Sequence, residues 1–314
     1  MTAARLNSLV TDLSPPPIPA VQAWGKSYVG SQGGLIDLSQ AVPGYPAHPD
    51  MLQWLGEAAS SPAYTNYGAI EGEAVLRQAY AGHVCELYGA KIDAGNIHVT
   101  SGCNQAFVCA AMVAAAPGNT ILTTDPFYFN HETTLAMLGI NIGRVVCDAA
   151  DGFIPRLETI EQAITPDVRA LALVTPNNPT GAVYPADWLR AVFDICRKNG
   201  IWLILDETYR DFLPEGSAIP HDLFGMENWQ DNLIQLYSFS KSFCIPGHRL
   251  GAITAGVAVV EEIAKIMDNL QICAPRAPQA AIARGLPALT GWRAGNRLEI
   301  EARTEALHRV MADL

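Results

Sequence analysis

The 314-residue sequence predicts an α/β fold, a three-layer sandwich around a mostly parallel seven-stranded sheet. Three features carry that prediction. Seven short apolar runs read as strands, at 97–100, 120–124, 142–147, 170–175, 201–206, 233–238 and 251–255. Two of them, Leu171-Ala172-Leu173-Val174 and Ile201-Trp202-Leu203-Ile204-Leu205, are continuous rather than alternating, as strands covered on both faces are. Stretches of helical length lie between the strands, at 103–116, 129–138, 156–164, 185–199 and 257–270. That alternation lays helices on both faces of a parallel sheet.

The ends of the chain break the pattern. Pro15-Pro16-Pro17-Ile18-Pro19 reads as a stiff, extended arm leading into the globule. Residues 298–314 carry a charged helical pattern that runs to the last residue. No internal repeat is present.

Composition excludes several function classes. The chain is 49% hydrophobic and 16% charged, which is ordinary for a globule with a sizeable core. A net charge of −11 argues against a nucleic-acid or anionic-membrane partner, which needs a basic field. The longest apolar run, 106–116, is too short to span a bilayer, and the N-terminus lacks the apolar segment of a secretory signal. The seven cysteines are scattered and form no Cys-x-x-Cys pair, so neither a disulfide framework nor a structural zinc site is expected. These features predict a cytoplasmic protein with no membrane contact. His131-Glu132-Thr133-Thr134-Leu135 begins like a zinc-protease helix but has Leu where the second His must stand. Gly25-Lys26-Ser27 ends like a P-loop, yet Ala20 occupies the place of its first Gly, and no Gly-x-Gly-x-x-Gly occurs.

In a parallel α/β sheet, ligands bind beyond the carboxyl ends of the strands, so those positions hold the candidates. Lys241, one of five lysines, follows the strand 233–238 in Ser238-Phe239-Ser240-Lys241. Alone it reads as a surface charge, but Arg249 stands eight residues on, and hydroxyls with a guanidinium fork suit a phosphate. Asp206 ends a fully apolar strand, which is costly unless the carboxylate is paired or hydrogen-bonded. Asn177-Asn178-Pro179-Thr180-Gly181 follows the strand 170–175 and by itself reads as a turn. Ser101-Gly102-Cys103-Asn104 opens a helix whose free N–H groups offer an anion site. Tyr128 follows Asp125-Pro126 and could stack on a ring.

With these blocks the sequence resembles the fold type I pyridoxal-phosphate enzymes, specifically the class I/II aminotransferases. The resemblance runs from about Ile36 to the end of the chain, in order and at family spacing. It rests on Tyr64-Thr65-Asn66-Tyr67-Gly68, Gly72, Leu76-Arg77, Asn177-Asn178-Pro179-Thr180-Gly181, Asp206-Glu207-Thr208-Tyr209, Ser238-Phe239-Ser240-Lys241 and Arg249-Leu250-Gly251. It implies that Lys241 carries pyridoxal 5'-phosphate as a Schiff base and, once displaced, moves a proton at the substrate Cα. It implies that Asp206 keeps the pyridine nitrogen protonated, with His131 as a buttress or as a plain loop histidine. Tyr209 and Asn178 are implied to hydrogen-bond the cofactor's phenolic oxygen, and Tyr128 to stack on its ring. The phosphate falls to Gly102, Cys103 and Asn104 at the helix start, to Ser238, Ser240 and Arg249, and to Tyr67 of the neighbouring subunit. A homodimer with shared active sites follows from that last role.

The resemblance further implies an amino acid and a 2-oxo acid as small-molecule substrates, exchanged in a ping-pong cycle. Ala41 stands where the family usually has the Gly whose N–H meets the substrate carboxylate, with Asn178 beside it. Three segments are expected: an N-terminal arm and start of a small domain at 1–45, a large cofactor-binding domain at 46–285, and the start of a C-terminal small domain at 286–314. The family continues past the equivalent of Leu314, so this small α/β domain reads as incomplete, and no residue is assigned to the family's carboxylate-binding Arg. Arg276 is open between an interface, a substrate group and a surface charge. The same constellation also serves C–S lyases and decarboxylases, and it fits a chain that binds cofactor without turning substrate over.

Overall fold

A computed structural model describes residues 4–40, 42–214, 216 and 219–312. Seven strands form one sheet: β1 (Ile97–Thr100), β2 (Thr120–Asp125), β3 (Asn141–Val146), β4 (Val168–Val174), β5 (Trp202–Asp206), β6 (Leu233–Ser238) and β7 (Gly251–Ala255). Their order across the sheet is β1-β7-β6-β5-β4-β2-β3. All neighbours are parallel except those of β7, which runs antiparallel to both β1 and β6.

The helices along the chain are α1 (Ser8–Thr11), α2 (Pro17–Ser27), α3 (Pro49–Ala59), α4 (Ala74–Tyr88), α5 (Cys103–Ala114) and α6 (Phe129–Met137). They continue with α7 (Leu157–Ala163), α8 (Ala186–Asn199), α9 (Phe239–Ser242), α10 (Val257–Leu270), α11 (Arg276–Ala288) and α12 (Thr290–Ala312).

The continuous apolar strands divide their side chains between two cores. Leu171, Leu173, Leu203 and Leu205 enter one core with Leu76 and Tyr80 of α4 and Ile282 of α11. Ala170, Ala172, Ile204, Ile234 and Leu236 enter the other with the alanines of α5 and with Val260 and Ile263 of α10. Small residues on this second face let α5 lie close to the sheet, which matters because α5 begins at the site. The edge strand β3 is more exposed and keeps only Val145 buried.

Register brings the candidates to one edge. Val174 pairs with Asp206, and Ser238 and Thr100 both pair with Gly251. Because β7 runs the other way, its first residue lies beside the last residues of β1 and β6. The carboxyl ends of β4, β5, β6 and β1 therefore form a single row.

Two expectations change. The Pro15–Pro19 segment is not wholly extended: Pro16 caps α2, and Pro17 and Pro19 occupy its first turn. The first N–H groups of a helix have no intrahelical partner, so proline costs nothing there. The C-terminal helix starts at Thr290, eight residues before the charged pattern becomes legible. Residues 313–314, Leu314 included, lie outside the described residues. Among the described residues no helix is long and apolar enough to cross a membrane, and no cluster could hold a metal ion.

The β1 residue His98 is completely buried; Nδ1 lies 3.0 Å from the Val99 carbonyl and Nε2 has no partner. Burial pulls its pKa down to about 4. An unfolded chain thus binds a proton near pH 6.5 that the native chain refuses, and stability falls as pH drops from about 6.5 toward 4. Urea titrations of the protein and of His98→Leu across this window should show the variant losing less stability, by on the order of 1–3 kcal/mol. Parallel pH profiles would contradict the assignment.

Candidate functional site

Asp206 is the last residue of β5 and is almost fully buried. Its Oδ1 accepts the Thr208 N–H at 2.9 Å, while Oδ2 accepts from Cys103 Sγ at 3.4 Å and lies 3.7 Å from His131 Nε2. Burial pushes the carboxyl up, but the hydrogen bond and charge of His131, with the Thr208 donors, hold it below its ordinary value. The acid therefore stays ionised at the end of an apolar strand.

His131 sits in the first turn of α6 rather than in a loop. Its ring stacks on Phe107 of α5, with centroids 3.7 Å apart and planes within 13°, and Tyr128 meets it edge-on at 5.3 Å. These rings fix the imidazole against Asp206 on a rigid wall.

Lys241 lies in the one-turn helix α9, which starts directly from β6. Its Nζ stands 5.9 Å from the Tyr209 ring centroid. Burial, helped by the Arg249 guanidinium, holds the amine below the ordinary lysine value. Tyr209 follows β5 and lines the same cavity wall as Asn178; burial and the nearby Asp206 push its hydroxyl up to about 12.

Asn178 owes its place to its neighbour. Asn177 is buried, bonds the Ala182 carbonyl through its N–H at 2.7 Å, and accepts from the Thr180 hydroxyl at 2.9 Å through Oδ1. That local closure presents Asn178 toward Tyr209.

The helix start beside them is made by glycine. Gly102 caps α5 with φ 87° and ψ 167°, a conformation that side chains disfavour, and a Cβ there would lie 2.3 Å from Arg249 Nη2. Gly251 faces the same turn: a Cβ on it would lie 2.8 Å from the Gly102 carbonyl carbon and 2.9 Å from the Cys103 nitrogen. A second brace comes from Gln271, whose Oε1 accepts from Ser101 Oγ at 2.6 Å and from Gln105 Nε2 at 2.8 Å. Arg249 donates to the Pro246 carbonyl at 2.8 Å, and no carboxylate lies within ion-pair distance of it among the described residues. Ser238 caps α9 by accepting the Ser240 N–H, while the buried Ser240 Oγ has no hydrogen-bond partner among the described residues.

These groups line one cavity of about 580 Å³ that contains Cys103, Asn104, Tyr128, Asn178, Asp206, Tyr209, Ser238, Ser240, Lys241 and Arg249. A second, of about 800 Å³, adjoins it through Asn178, Tyr209 and Lys241 and is walled by Val183, Phe212, Leu213 and Ile300. The structure thus brings together ten of the expected residues, with Gly102 and His131 immediately behind them. Two stand apart. Tyr67 is exposed and lines neither cavity. Ala41 lies outside the described residues, though Gln40 and Val42 line the smaller cavity.

Arg276 is a structural strut. It pairs with Glu73 at 2.5 Å and donates to the carbonyls of Ala63 (2.8 Å) and Asn66 (3.0 Å), holding the segment that displays Tyr67. Sequence reasoning missed Thr208, Gly251 and the Gln271 brace. Thr208 and Gly251 stood in the sequence blocks without a role of their own, and Gln271 left no local signal.

In Gly102→Ala the Arg249 guanidinium must move, and the backbone is strained. The variant should lose about 1–3 kcal/mol in urea titrations. It should also bind inorganic phosphate more weakly by calorimetry, whereas unchanged phosphate affinity would refute the cradle.

The comparisons with known proteins agree with this geometry. Residues 34–313 match the family model described as aminotransferase class I and II. An aromatic aminotransferase of Arabidopsis thaliana is 29% identical over 278 residues, 87% of this chain and 68% of that protein. An arginine–pyruvate transaminase of Pseudomonas aeruginosa is 30% identical, over 67% of this chain and 52% of its own length. Among solved structures, an aspartate aminotransferase of Thermus thermophilus superposes with a TM-score of 0.91 at 23% identity, covering 99% of this chain and 81% of that one. The N-succinyldiaminopimelate aminotransferase of Mycobacterium tuberculosis gives 0.89 at 24%, over 98% and 79%. The chain belongs to the class I and II aminotransferase family, whose members use pyridoxal 5'-phosphate.

Proposed function

We propose that this chain is a pyridoxal-phosphate-dependent transferase that moves an amino group from an amino acid to a 2-oxo acid in a ping-pong cycle. One observation carries the reading: the buried Asp206 carboxylate and the Lys241 amine face a single cavity from the ends of adjacent strands.

The residues present fit the cofactor. The buried Ser240 hydroxyl, the Arg249 guanidinium, which meets no carboxylate among the described residues, and the N–H groups opening α5 make a phosphate-binding set. Ser238 and Asn104 complete it. An ionised, buried Asp206 suits a protonated ring nitrogen, and Tyr128 offers a face for the ring. Tyr209 and Asn178 suit an anionic ring oxygen. When bound, the cofactor supplies an electron sink for the pair left behind when a substrate Cα bond breaks.

The protein's own part is positioning and proton transfer. Lys241 Nζ would hold the cofactor at its aldehyde end, and the freed amine would stand beside the substrate Cα. Its lowered pKa leaves more of the amine unprotonated near neutrality, as a group that accepts the Cα proton and returns it would need. His131 keeps Asp206 charged throughout.

Ala41 and Asn178 would meet the substrate carboxylate. Tyr67, carried on the segment that Arg276 braces, would reach the phosphate of a neighbouring subunit, making a homodimer with shared active sites. Residues 46–285 would form the cofactor-binding domain, with 1–45 and 286–314 belonging to a smaller one. Seven free cysteines support a reducing, cytoplasmic setting.

Borohydride treatment after incubation with pyridoxal phosphate, followed by peptide mapping, should place a pyridoxyl group on Lys241. Lys241→Ala should lose that label and about 10²–10⁴-fold in turnover. With 2-oxoglutarate and an amino-acid panel, glutamate and the matching 2-oxo acid should form. A label elsewhere, or release of ammonia and pyruvate instead, would overturn the proposal.

A further inference from the structure

Asp211 stands two residues beyond Tyr209 and lines neither cavity. Its Oδ1 accepts from Arg293 Nη1 of α12 at 3.2 Å, and its Oδ2 accepts the Tyr237 hydroxyl at 2.5 Å. The same hydroxyl lies 2.8 Å from Ser242 Oγ. A phenol has one proton, and here the carboxylate takes it, so Ser242 must be the donor to Tyr237. Ser242 follows Lys241 directly, in the same turn of helix.

Each link is held. Tyr237 is fully buried beneath the Arg210 guanidinium, 4.1 Å above its ring, and Phe239 meets it edge-on at 5.0 Å. Arg210 is anchored by the hydroxyls of Tyr88 (3.2 Å) and Tyr80 (3.1 Å). Arg293 also donates to the Leu286 carbonyl and lies over the Phe243 ring at 5.0 Å. By contrast α9 has four residues, too few for a helix to hold itself in place.

We infer that Arg293, Asp211, Tyr237 and Ser242 are positioning residues, one hydrogen-bonded chain that ties α12 to the turn presenting Lys241 and sets where its amine stands in the cavity. The inference rests on Lys241 being the reactive amine of the proposed function. The groups facing Asp211 include Arg293, Arg210, Tyr237 and His83; those facing the Lys241 amine include Arg249 and the Tyr209 ring.

The test reads the amine itself. The full chain, freed of cofactor, is labelled with trace acetic anhydride across pH, and each lysine peptide is quantified by mass spectrometry. Lys26, Lys91, Lys198 and Lys265 are exposed and serve as internal standards. In Tyr237→Phe the loosened turn admits water, so the Lys241 midpoint should rise by about half a unit to one unit while the standards stay put. Ser242→Ala and Arg293→Met should move it the same way, and the Tyr237→Phe/Ser242→Ala double variant should move it no further than either alone. An unchanged midpoint in folded Tyr237→Phe, or additive shifts in the double variant, would overturn the chain. If Tyr237→Phe does not fold, Ser242→Ala and Arg293→Met decide from its two ends. Failure of Lys241 to accept a pyridoxyl group would count against the proposed function instead, since the midpoint is read without cofactor.

Discussion

The buried carboxylate of Asp206 is the constraint around which the site is arranged. An ionised acid in a dry environment costs several kcal/mol unless it is met by donors or charge. The Thr208 amide, the Cys103 thiol and His131 are its compensation, and hydrogen bonds to a charged group contribute about 1.5–3 kcal/mol each. Cost and compensation are of the same order, so the charge persists. Each donor in turn demands a place: Cys103 the start of α5, His131 the first turn of α6, Thr208 the bend after β5.

Close approach of backbones lets those elements meet. Gly102 and Gly251 face one another across β1 and β7; a side chain on Gly251 would push the start of α5 off the strand ends, and one on Gly102 would displace the Arg249 guanidinium. The antiparallel course of β7 delivers Gly251 to the edge where β1 and β6 terminate. The small side chains of β4 and α5 let the helix sit low over the sheet. Packing on one face of the sheet thus controls geometry at its edge.

Much of this was legible in the residues. The strands are marked by continuous apolar runs because both faces are buried, and β6, β7 and β1 occur at the expected bounds. Asp206 was visible because a carboxylate ending an apolar strand has few structural reasons to be there, whereas Lys241 and Asn178 became legible only in combination with the other blocks. Less legible were α3, α4 and α11, whose surroundings blur the helical period. Pro278 and Pro287 interrupt α11, and buried tyrosines of α4 serve a polar cluster as well as the core. The roles of Gln271, Gly251 and Arg276 depend on partners far away along the chain, and no local pattern announces them.

The sequence by itself determined the class of fold and the chemical kinds at the strand ends, since periodicity and residue type are local properties. Only the tertiary structure decided which of those groups share a cavity. It decided that His131 belongs to Asp206 rather than to a loop, and that Arg276 braces the segment carrying Tyr67. It also decided that Asp211 joins α12 to the turn of Lys241. The physical reason is range: propensity and burial pattern act over a few residues, whereas a hydrogen bond between strand ends depends on register and packing across the whole sheet.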